Sequence, residues 1–241
     1  MSDDPARLRP TLVFVHGAFH QSWVWERVID RLALRGWNTQ TIDLPSVGAE
    51  MPTRSGMLID ADAIAKLRRR TGVPQIVIAH SYGGIPVTQV VHELPEVRHI
   101  VYVAAFQLDI GQSLLGAVGN RIPPWWIVNG DIVTADRAID MFYNDVPPGV
   151  AAWAQKRLLP SSFAAFTEPL TAAAWRHIPS TYIVCERDVC LPLSVQEAMA
   201  QRAGQVHSLP TGHSPMLAQP EALAEMINYI ALDSIWRTVT E

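Results

Sequence analysis

Short apolar runs alternate with stretches of helical period along most of the chain. The first helical stretch carries Trp25, Val28 and Leu32 on one face, with Glu26 and Asp30 between them. This alternation predicts the α/β fold class, a mostly parallel, doubly wound sheet with helices on both faces. The predicted strands are Thr11–Val15, Asn38–Asp43, 75–80, His99–Ala105, Thr181–Cys185 and Gln205–Leu209.

The alternation breaks in the stretch from Gln107 to His177. This stretch is rich in tryptophan, proline and alanine, and it is too long for a bare loop in a compact domain. We predict that it forms a mainly helical cap, or lid, inserted over the strand ends. The predicted organisation is a flexible N-terminus (1–10), an α/β core (11–106 and 178–241) and the cap (107–177).

Composition and charge narrow the classes of partner. The length of 241 residues fits one α/β domain. The formal net charge of −4 gives no indication of a strongly basic surface, so neither nucleic acid nor a membrane surface is expected as a partner. The N-terminus is acidic and polar, unlike a secretory signal, and no run approaches the roughly 18 apolar residues that span a bilayer. Cys185 and Cys190 form neither a disulfide framework nor a metal-binding spacing. We expect a soluble, cytoplasmic protein that needs no metal or cofactor.

The stretch from residue 75 to residue 84 ends an apolar, β-branched run in a serine. Ser81 is followed by Gly83 and Gly84, after which a helical pattern begins. A strand, a tight turn and a helix are what a nucleophile elbow requires, because the strained turn holds the hydroxyl above the strand ends. Ala79 stands where the usual pattern has its first glycine, the smallest possible departure. We therefore predict Ser81 as a nucleophile.

A serine nucleophile needs a base within hydrogen-bond reach and a carboxylate that orients the base. Both should follow later strands, in the chain order serine, acid, histidine. His213 directly follows the last predicted strand, and Asp188 directly follows the strand before it. Asp109, one strand earlier, is the rival for the acid, and Glu186 is a weaker one.

The oxyanion of a tetrahedral intermediate needs preorganised N–H donors. We predict the backbone N–H of Tyr82 as one donor and that of Ala18, in the loop after the first strand, as the other. Phe19 is the alternative to Ala18. Gly17 lets the backbone of this loop approach the site.

Tryptophans of the predicted cap suggest what reaches the serine. Trp125 and Trp126 indicate an apolar or aromatic acyl or alcohol group, although they could equally pack the cap onto the core. The predicted substrate-binding residues are Gly17, Phe19, Trp125 and Trp126.

Several segments together resemble a known superfamily. They are Phe14–His20, Trp23–Trp25, Ala79–Gly84, Asp188 with Pro192, and Gly212–His213. They resemble the α/β-hydrolase superfamily and are most similar to the branch that holds plant methylesterases, hydroxynitrile lyases and small bacterial carboxylesterases. The resemblance covers residues 11–106 and 181–230. It implies the α/β-hydrolase fold and the same site residues, without naming a substrate.

Two positions separate the chain from the lyase members of that branch. Those members carry a lysine after the histidine, where this chain has Ser214, and a threonine where it has Gly17. Because no cation would hold a leaving cyanide, the resemblance favours the esterase members. We therefore predict a serine carboxylic-ester hydrolase that acts on a small-molecule ester. The alternatives are a lyase or C–C bond-cleaving enzyme on the same triad, and a non-catalytic small-ligand-binding protein.

Overall fold

The computed structural model describes residues 9–48, 55–68 and 73–240, which form two sheets. In chain order the strands are β1 (Thr11–Val15), β2 (Thr39–Ile42), β3 (Gln75–His80), β4 (Val97–Val103), β5 (Trp126–Asn129), β6 (Ile132–Ala135), β7 (Ser161–Ser162), β8 (Ser180–Cys185) and β9 (Gln205–Leu209). Six of them form one parallel sheet in the order β2-β1-β3-β4-β8-β9. The predicted fold class is confirmed.

Helices lie between the strands and after the last one, and the final helix continues to Thr240, although the sequence pattern predicts its end near Ile230. They are α1 (Glu26–Leu34), α2 (Met57–Arg68), α3 (Gly84–Val90), α4 (Leu114–Ala117), α5 (Ala138–Phe142), α6 (Pro148–Gln155), α7 (Phe163–Thr167), α8 (Leu193–Ala200), α9 (Pro215–Ala218) and α10 (Pro220–Thr240). In α1 the sequence pattern is realised directly, because Val28 and Leu32 are buried while Arg27 and Asp30 are exposed. The sequence pattern predicts that helix α2 reaches Arg70, but residues 69–72 lie outside the described ranges.

The hydrophobic core lies on both faces of the parallel sheet. Every residue of the inner strands β1, β3 and β8 is buried. Strands covered on both faces read as continuous apolar runs, which is why the sequence revealed them. The edge strand β9 instead alternates between more exposed and less exposed positions. Within the described ranges, no helix has the length and apolar character needed to cross a bilayer.

The segment from residue 107 to residue 177 contains more helical residues than strand residues, but it also contains a small antiparallel sheet. Strands β5 and β6 form a hairpin, and β7 pairs with β6. Ser162 N–H donates to Ser46 O at 2.8 Å, and Gly48 N–H donates to Pro160 O at 3.0 Å. The segment is thereby joined to the loop after β2. Its role as a cap stays a prediction.

The predicted flexible N-terminus falls mostly on residues 1–8, outside the described ranges. Of its last two residues, Pro10 is buried. The Arg9 guanidinium lies 5.2 Å from the ring centroid of Trp37 and donates to Arg35 O at 2.9 Å. These two residues pack against the core.

Candidate active site

Ser81 lies at the tip of β3, in a strained turn. Its φ of +52° is in the left-handed region, which non-glycine residues rarely adopt and which clusters at functional sites. The elements around the turn pass so close that a Cβ on Gly83 would lie 2.4 Å from His16 O, and one on Gly84 would lie 2.6 Å from Phe106 O. The two glycines therefore allow this turn, as the sequence predicted, and Ala79 is accommodated within buried β3.

The structure brings Ser81, His213 and Asp188 into one hydrogen-bonded chain. They come from the loops that follow β3, β9 and β8, and all three are buried. Ser81 Oγ lies 3.1 Å from His213 Nε2, and His213 Nδ1 lies 2.7 Å from Asp188 Oδ2. Because the carboxylate only accepts, Nδ1 carries the proton and Nε2 is available to accept from the serine hydroxyl.

The Asp188 carboxylate is held in place by its own loop and by helix α8. Its Oδ1 accepts the N–H groups of Cys190 at 2.8 Å and Leu191 at 2.9 Å. Its Oδ2 accepts Gln196 Nε2 at 3.2 Å. Gln196 is fully buried and also accepts Cys185 N–H at 2.9 Å, so it fixes the loop against β8. No sequence motif pointed to Gln196.

The rival acids are engaged elsewhere. Asp109 forms an ion pair with Arg176, with Nη2 and Oδ2 at 2.6 Å, and hydrogen bonding from this arginine lowers the pKa of Asp109. Glu186 accepts the Ser208 hydroxyl at 2.6 Å. Of the three acidic side chains, Asp188 is the one that the structure places against His213.

The pKa of His213 is shifted in the opposite direction from the pKa values of the other buried histidines around the site. Burial lowers the pKa of His16 to about 4 and that of His20 to about 3, and it lowers the pKa of His80 well below its ordinary range. Burial acts on His213 in the same direction, but the charges and hydrogen bonds of Asp188 and Cys190 together raise the pKa of His213 above its ordinary value. His213 is therefore the ring of this cluster whose surroundings favour the protonated form.

The loop after β1 lines the site with Ala18, and a hydrogen bond holds the peptide that carries the Ala18 N–H. His16 Nε2 accepts Leu44 N–H at 2.9 Å, so its Nδ1 carries the proton and donates to Gly17 O at 2.8 Å. That carbonyl belongs to the same peptide unit as the N–H of Ala18, and in a trans peptide the two point in opposite directions. Phe19 N–H is already donated to Ser161 Oγ at 2.9 Å. The geometry therefore favours Ala18 over Phe19 as a donor.

A cavity of about 370 Å³ opens over Ser81, and most of its wall is apolar. Phe19, Trp125 and Trp126 line it, as predicted for substrate-binding residues. Gly17 does not line it, but it lies next to the serine, where a Cβ would be 2.8 Å from Ser81 Cβ. The wall also includes residues that the sequence did not single out: Leu114, Val118, Arg121, Ile122, Phe142 and Leu191.

Comparisons with known proteins identify the family to which the sequence is similar. The sequence profile of the alpha/beta hydrolase family matches residues 12–226. The chain is 29% identical to alpha/beta hydrolase nvfD of Aspergillus novofumigatus, over 95% of this chain and 99% of that protein. It is 25% identical to a pyrethroid hydrolase of Sphingobium wenxiniae, over 90% of this chain and 85% of that protein.

A solved structure supports the fold independently. The crystal structure of polyneuridine aldehyde esterase superposes with a TM-score of 0.80 at 16% identity, over 92% of this chain and 99% of that chain. The match to the family profile extends from β1 into α10 and so includes both the sheet and the segment inserted between β4 and β8. The chain belongs to the alpha/beta hydrolase family, as the sequence resemblance implied.

Proposed function

We propose that this chain is a serine hydrolase that cleaves small carboxylic esters through an acyl-enzyme intermediate. The observation that carries the proposal is the hydrogen-bonded chain from Ser81 through His213 to Asp188, which opens onto an apolar cavity. The names of the relatives, a pyrethroid hydrolase and an esterase, support hydrolysis of an ester.

The roles of the three side chains follow from their hydrogen bonds. Ser81 Oγ attacks the ester carbonyl while its proton passes to His213 Nε2. His213 then gives this proton to the leaving alcohol, and Asp188 stabilises the imidazolium between the two transfers. A water molecule enters, His213 takes its proton, and attack on the acyl-enzyme releases the carboxylic acid and the free serine.

The oxyanion that forms on the carbonyl needs donors that already point at it. We assign the N–H groups of Ala18 and Tyr82 to this role, and both residues line the cavity beside Ser81. The hydrogen bond from His16 to Gly17 O holds the peptide that carries the Ala18 N–H. Each such donor typically contributes about 2.7–4 kcal/mol to transition-state stabilisation.

The wall of the cavity sets the class of substrate. Trp125 and Trp126, from the segment that we propose as the cap, form an aromatic wall, with ring centroids 5.9 Å apart. Among the described residues of the wall, Arg121 is the one permanently charged side chain. A volume of about 370 Å³ with this lining fits an ester whose acyl or alcohol part is small and apolar or aromatic.

Replacing the nucleophile tests the proposal. Ser81→Ala should abolish turnover of p-nitrophenyl acetate and labelling by a fluorophosphonate probe, while the circular dichroism spectrum stays unchanged. Ser208→Ala, on the exposed face of β9, is the matched control and should keep full activity. Undiminished turnover by Ser81→Ala would overturn the proposal. Cleavage of mandelonitrile without any ester hydrolysis would point to a lyase, and lack of labelling of the unmodified protein would point to a binding protein.

A further inference from the structure

The loop that carries His213 is held by one side chain on each side of that residue. Gly212 N–H, on one side, donates to Asp145 Oδ2 at 2.6 Å. On the other side His213 O accepts His80 Nε2–H at 2.8 Å. These two peptide groups bracket Gly212 and His213, so the two hydrogen bonds hold the stretch of backbone from which the imidazole projects toward Ser81.

Asn144, which directly precedes Asp145, holds the loop that carries Asp188. Asn144 Nδ2 donates to Arg187 O at 3.0 Å, in the peptide directly before Asp188. Arg187 N–H in turn donates to Thr211 O at 2.8 Å, which joins this loop to the loop of the histidine. Two consecutive side chains of the inserted segment thus bind the two loops that carry the acid and the base.

The absence of a side chain at Gly212 leaves room for the side chains of Asn144 and Asp145. A Cβ at this position would lie 2.1 Å from Asn144 Oδ1 and 2.7 Å from Asp145 Oδ1. Within residues 9–48, 55–68 and 73–240, Asp145 Oδ1 is buried without a hydrogen-bond partner. An unpaired buried carboxylate oxygen costs stability. Asp145 is therefore poorly explained as a stabilising residue and better explained by what its other oxygen holds.

The same short stretch reaches the base and the oxyanion loop. The Phe142 ring lies 5.9 Å from the His213 ring, centroid to centroid, and also lines the cavity. Tyr143 OH lies 2.8 Å from His20 Nε2. His20 Nδ1 in turn lies 2.8 Å from Ala18 O. Residues 142–145, which we call the 142–145 clamp, therefore contact all three loops around Ser81.

We propose that the 142–145 clamp positions the acid and the base, and that Asp145 is a positioning residue that sets the approach of His213 to Ser81. The proposal rests on the proposed function and deepens it, because it makes the inserted segment part of the catalytic geometry as well as a wall of the cavity. Asp145 touches neither the substrate cavity nor the reacting atoms, so it acts through Gly212 and His213.

Two substitutions of Asp145 separate the hydrogen bond from the charge. Asp145→Ala removes the acceptor of Gly212 N–H and should lower kcat for p-nitrophenyl acetate by about 10- to 100-fold, with KM within about threefold, because a displacement of about 1 Å has this effect. Asp145→Asn keeps a carbonyl acceptor and should restore kcat to within about threefold. Asp140→Ala is the matched control, since Asp140 is an exposed partner of Arg137 on α5.

Readouts independent of turnover distinguish positioning from folding. In Asp145→Ala, the Gly212 amide should exchange with deuterium faster than in the unmodified protein, and the NMR signal of the His213 Nδ1 proton should shift or broaden. Gly212→Ala should displace the clamp from the other side and reproduce the loss in kcat. If Asp145→Ala does not fold, the comparison of Asp145→Asn with Gly212→Ala carries the test.

The proposal is overturned by unchanged kcat or unchanged Gly212 exchange in Asp145→Ala, by unchanged kcat in Gly212→Ala, or by equal losses of kcat in the Ala and Asn variants of Asp145. Its failure is separable from failure of the proposed function. Turnover that survives Ser81→Ala would reject the function, whereas the exchange and NMR measurements report on the clamp whether or not Ser81 is the nucleophile.

Discussion

Asp188 and Asp109 differ in what surrounds their carboxylates. Asp188 is buried and accepts two backbone N–H groups as well as His213, whereas Asp109 faces Arg176 across an exposed ion pair. Position relative to the strands was enough to favour Asp188 from the sequence. The ion pair of Asp109 could not be predicted from the sequence, because Arg176 lies 67 residues further along the chain.

Replacement by asparagine should lower kcat strongly at Asp188 and leave it unchanged at Asp109. Asp188→Asn should lower kcat by a factor on the order of 10³–10⁴, because the amide cannot hold the imidazole in the required tautomer. Since Asp188 raises the pKa of His213, the variant should also move the acidic limb of the kcat/KM profile to lower pH. Asp109→Asn should leave kcat unchanged and cost less than about 1 kcal/mol of stability, as for other exposed ion pairs. A larger loss of kcat in Asp109→Asn would mean that the acid is wrongly assigned.

The residues that the sequence missed share one property. No local motif marks Gln196, Phe142 or Asp145. Phe142 and Asp145 reach the site through contacts between distant parts of the chain, and Gln196 reaches it from the helix that follows the acid loop. Ser81 and His213 were found because each stands at a strand end next to a turn signal. The sequence thus shows the local backbone geometry of a site residue through the residues next to it. The contacts that another segment makes with the site depend on tertiary packing, which no local motif shows.

Among the elements, the nucleophile elbow was predictable and the β5–β6 hairpin was missed. A β-branched strand followed by two glycines predicts the elbow. The hairpin carried a signal as well, since Gly130-Asp131 lies between the two strands and Gly130 has a φ of +59°. Strand β7 has no such signal, because its two residues are in a sheet only through pairing with β6 and an isolated bridge from Ser161 to Val47.

A methyl group tests how tightly the elbow is packed. Gly83→Ala would place its Cβ 2.4 Å from His16 O, a backbone atom that cannot move without shifting β1 and the oxyanion loop. We expect a loss of roughly 1–3 kcal/mol of unfolding free energy, typical of overpacking, together with loss of esterase activity. Urea unfolding and p-nitrophenyl acetate turnover measure the two effects.

Gly149→Ala is the control for Gly83→Ala, because it adds the same methyl group at a helical position without close neighbours. Gly149 lies in α6, and no atom lies within 4 Å of an added Cβ. Because alanine restricts the unfolded chain, this variant should be stabilised by about 0.4–1 kcal/mol and remain fully active. Similar destabilisation of both variants would show that packing at the elbow is not the cause.

At the scale of the molecule, the strand order and the helices on both faces follow from alternation along the chain, but the seating of the inserted segment does not. That segment meets the loop after β2, and the same loop meets the elbow through one buried carboxylate. Asp60 Oδ1 accepts Ser46 N–H at 2.9 Å, and its Oδ2 accepts the Ser46 hydroxyl at 2.6 Å and the Tyr82 hydroxyl at 2.5 Å. Asp60 thus ties α2 to the residue proposed as an oxyanion donor.

The environment of Asp60 makes global stability depend on pH in a specific direction. The side chain is fully buried, and burial raises the pKa of Asp60 from 3.8 to about 6 despite its hydrogen bonds. The folded state therefore binds this proton more tightly than the unfolded state does. The contribution of Asp60 to stability is complete below about pH 4 and is lost as the pH rises through about 6, a change on the order of 3 kcal/mol.

Asp60→Asn removes this titration while keeping the size of the side chain. Relative to the unmodified protein, the variant should gain on the order of 3 kcal/mol of unfolding free energy between pH 4 and pH 7, measured by urea unfolding at each unit of pH. Asp62→Asn, on the exposed face of the same helix, removes an ion pair with Lys66 and should give a curve parallel to that of the unmodified protein. Parallel curves for Asp60→Asn and the unmodified protein would contradict the prediction. They would mean that the hydroxyls of Ser46 and Tyr82 solvate the carboxylate as well as water does, so that tying α2 to the elbow carries no penalty at neutral pH.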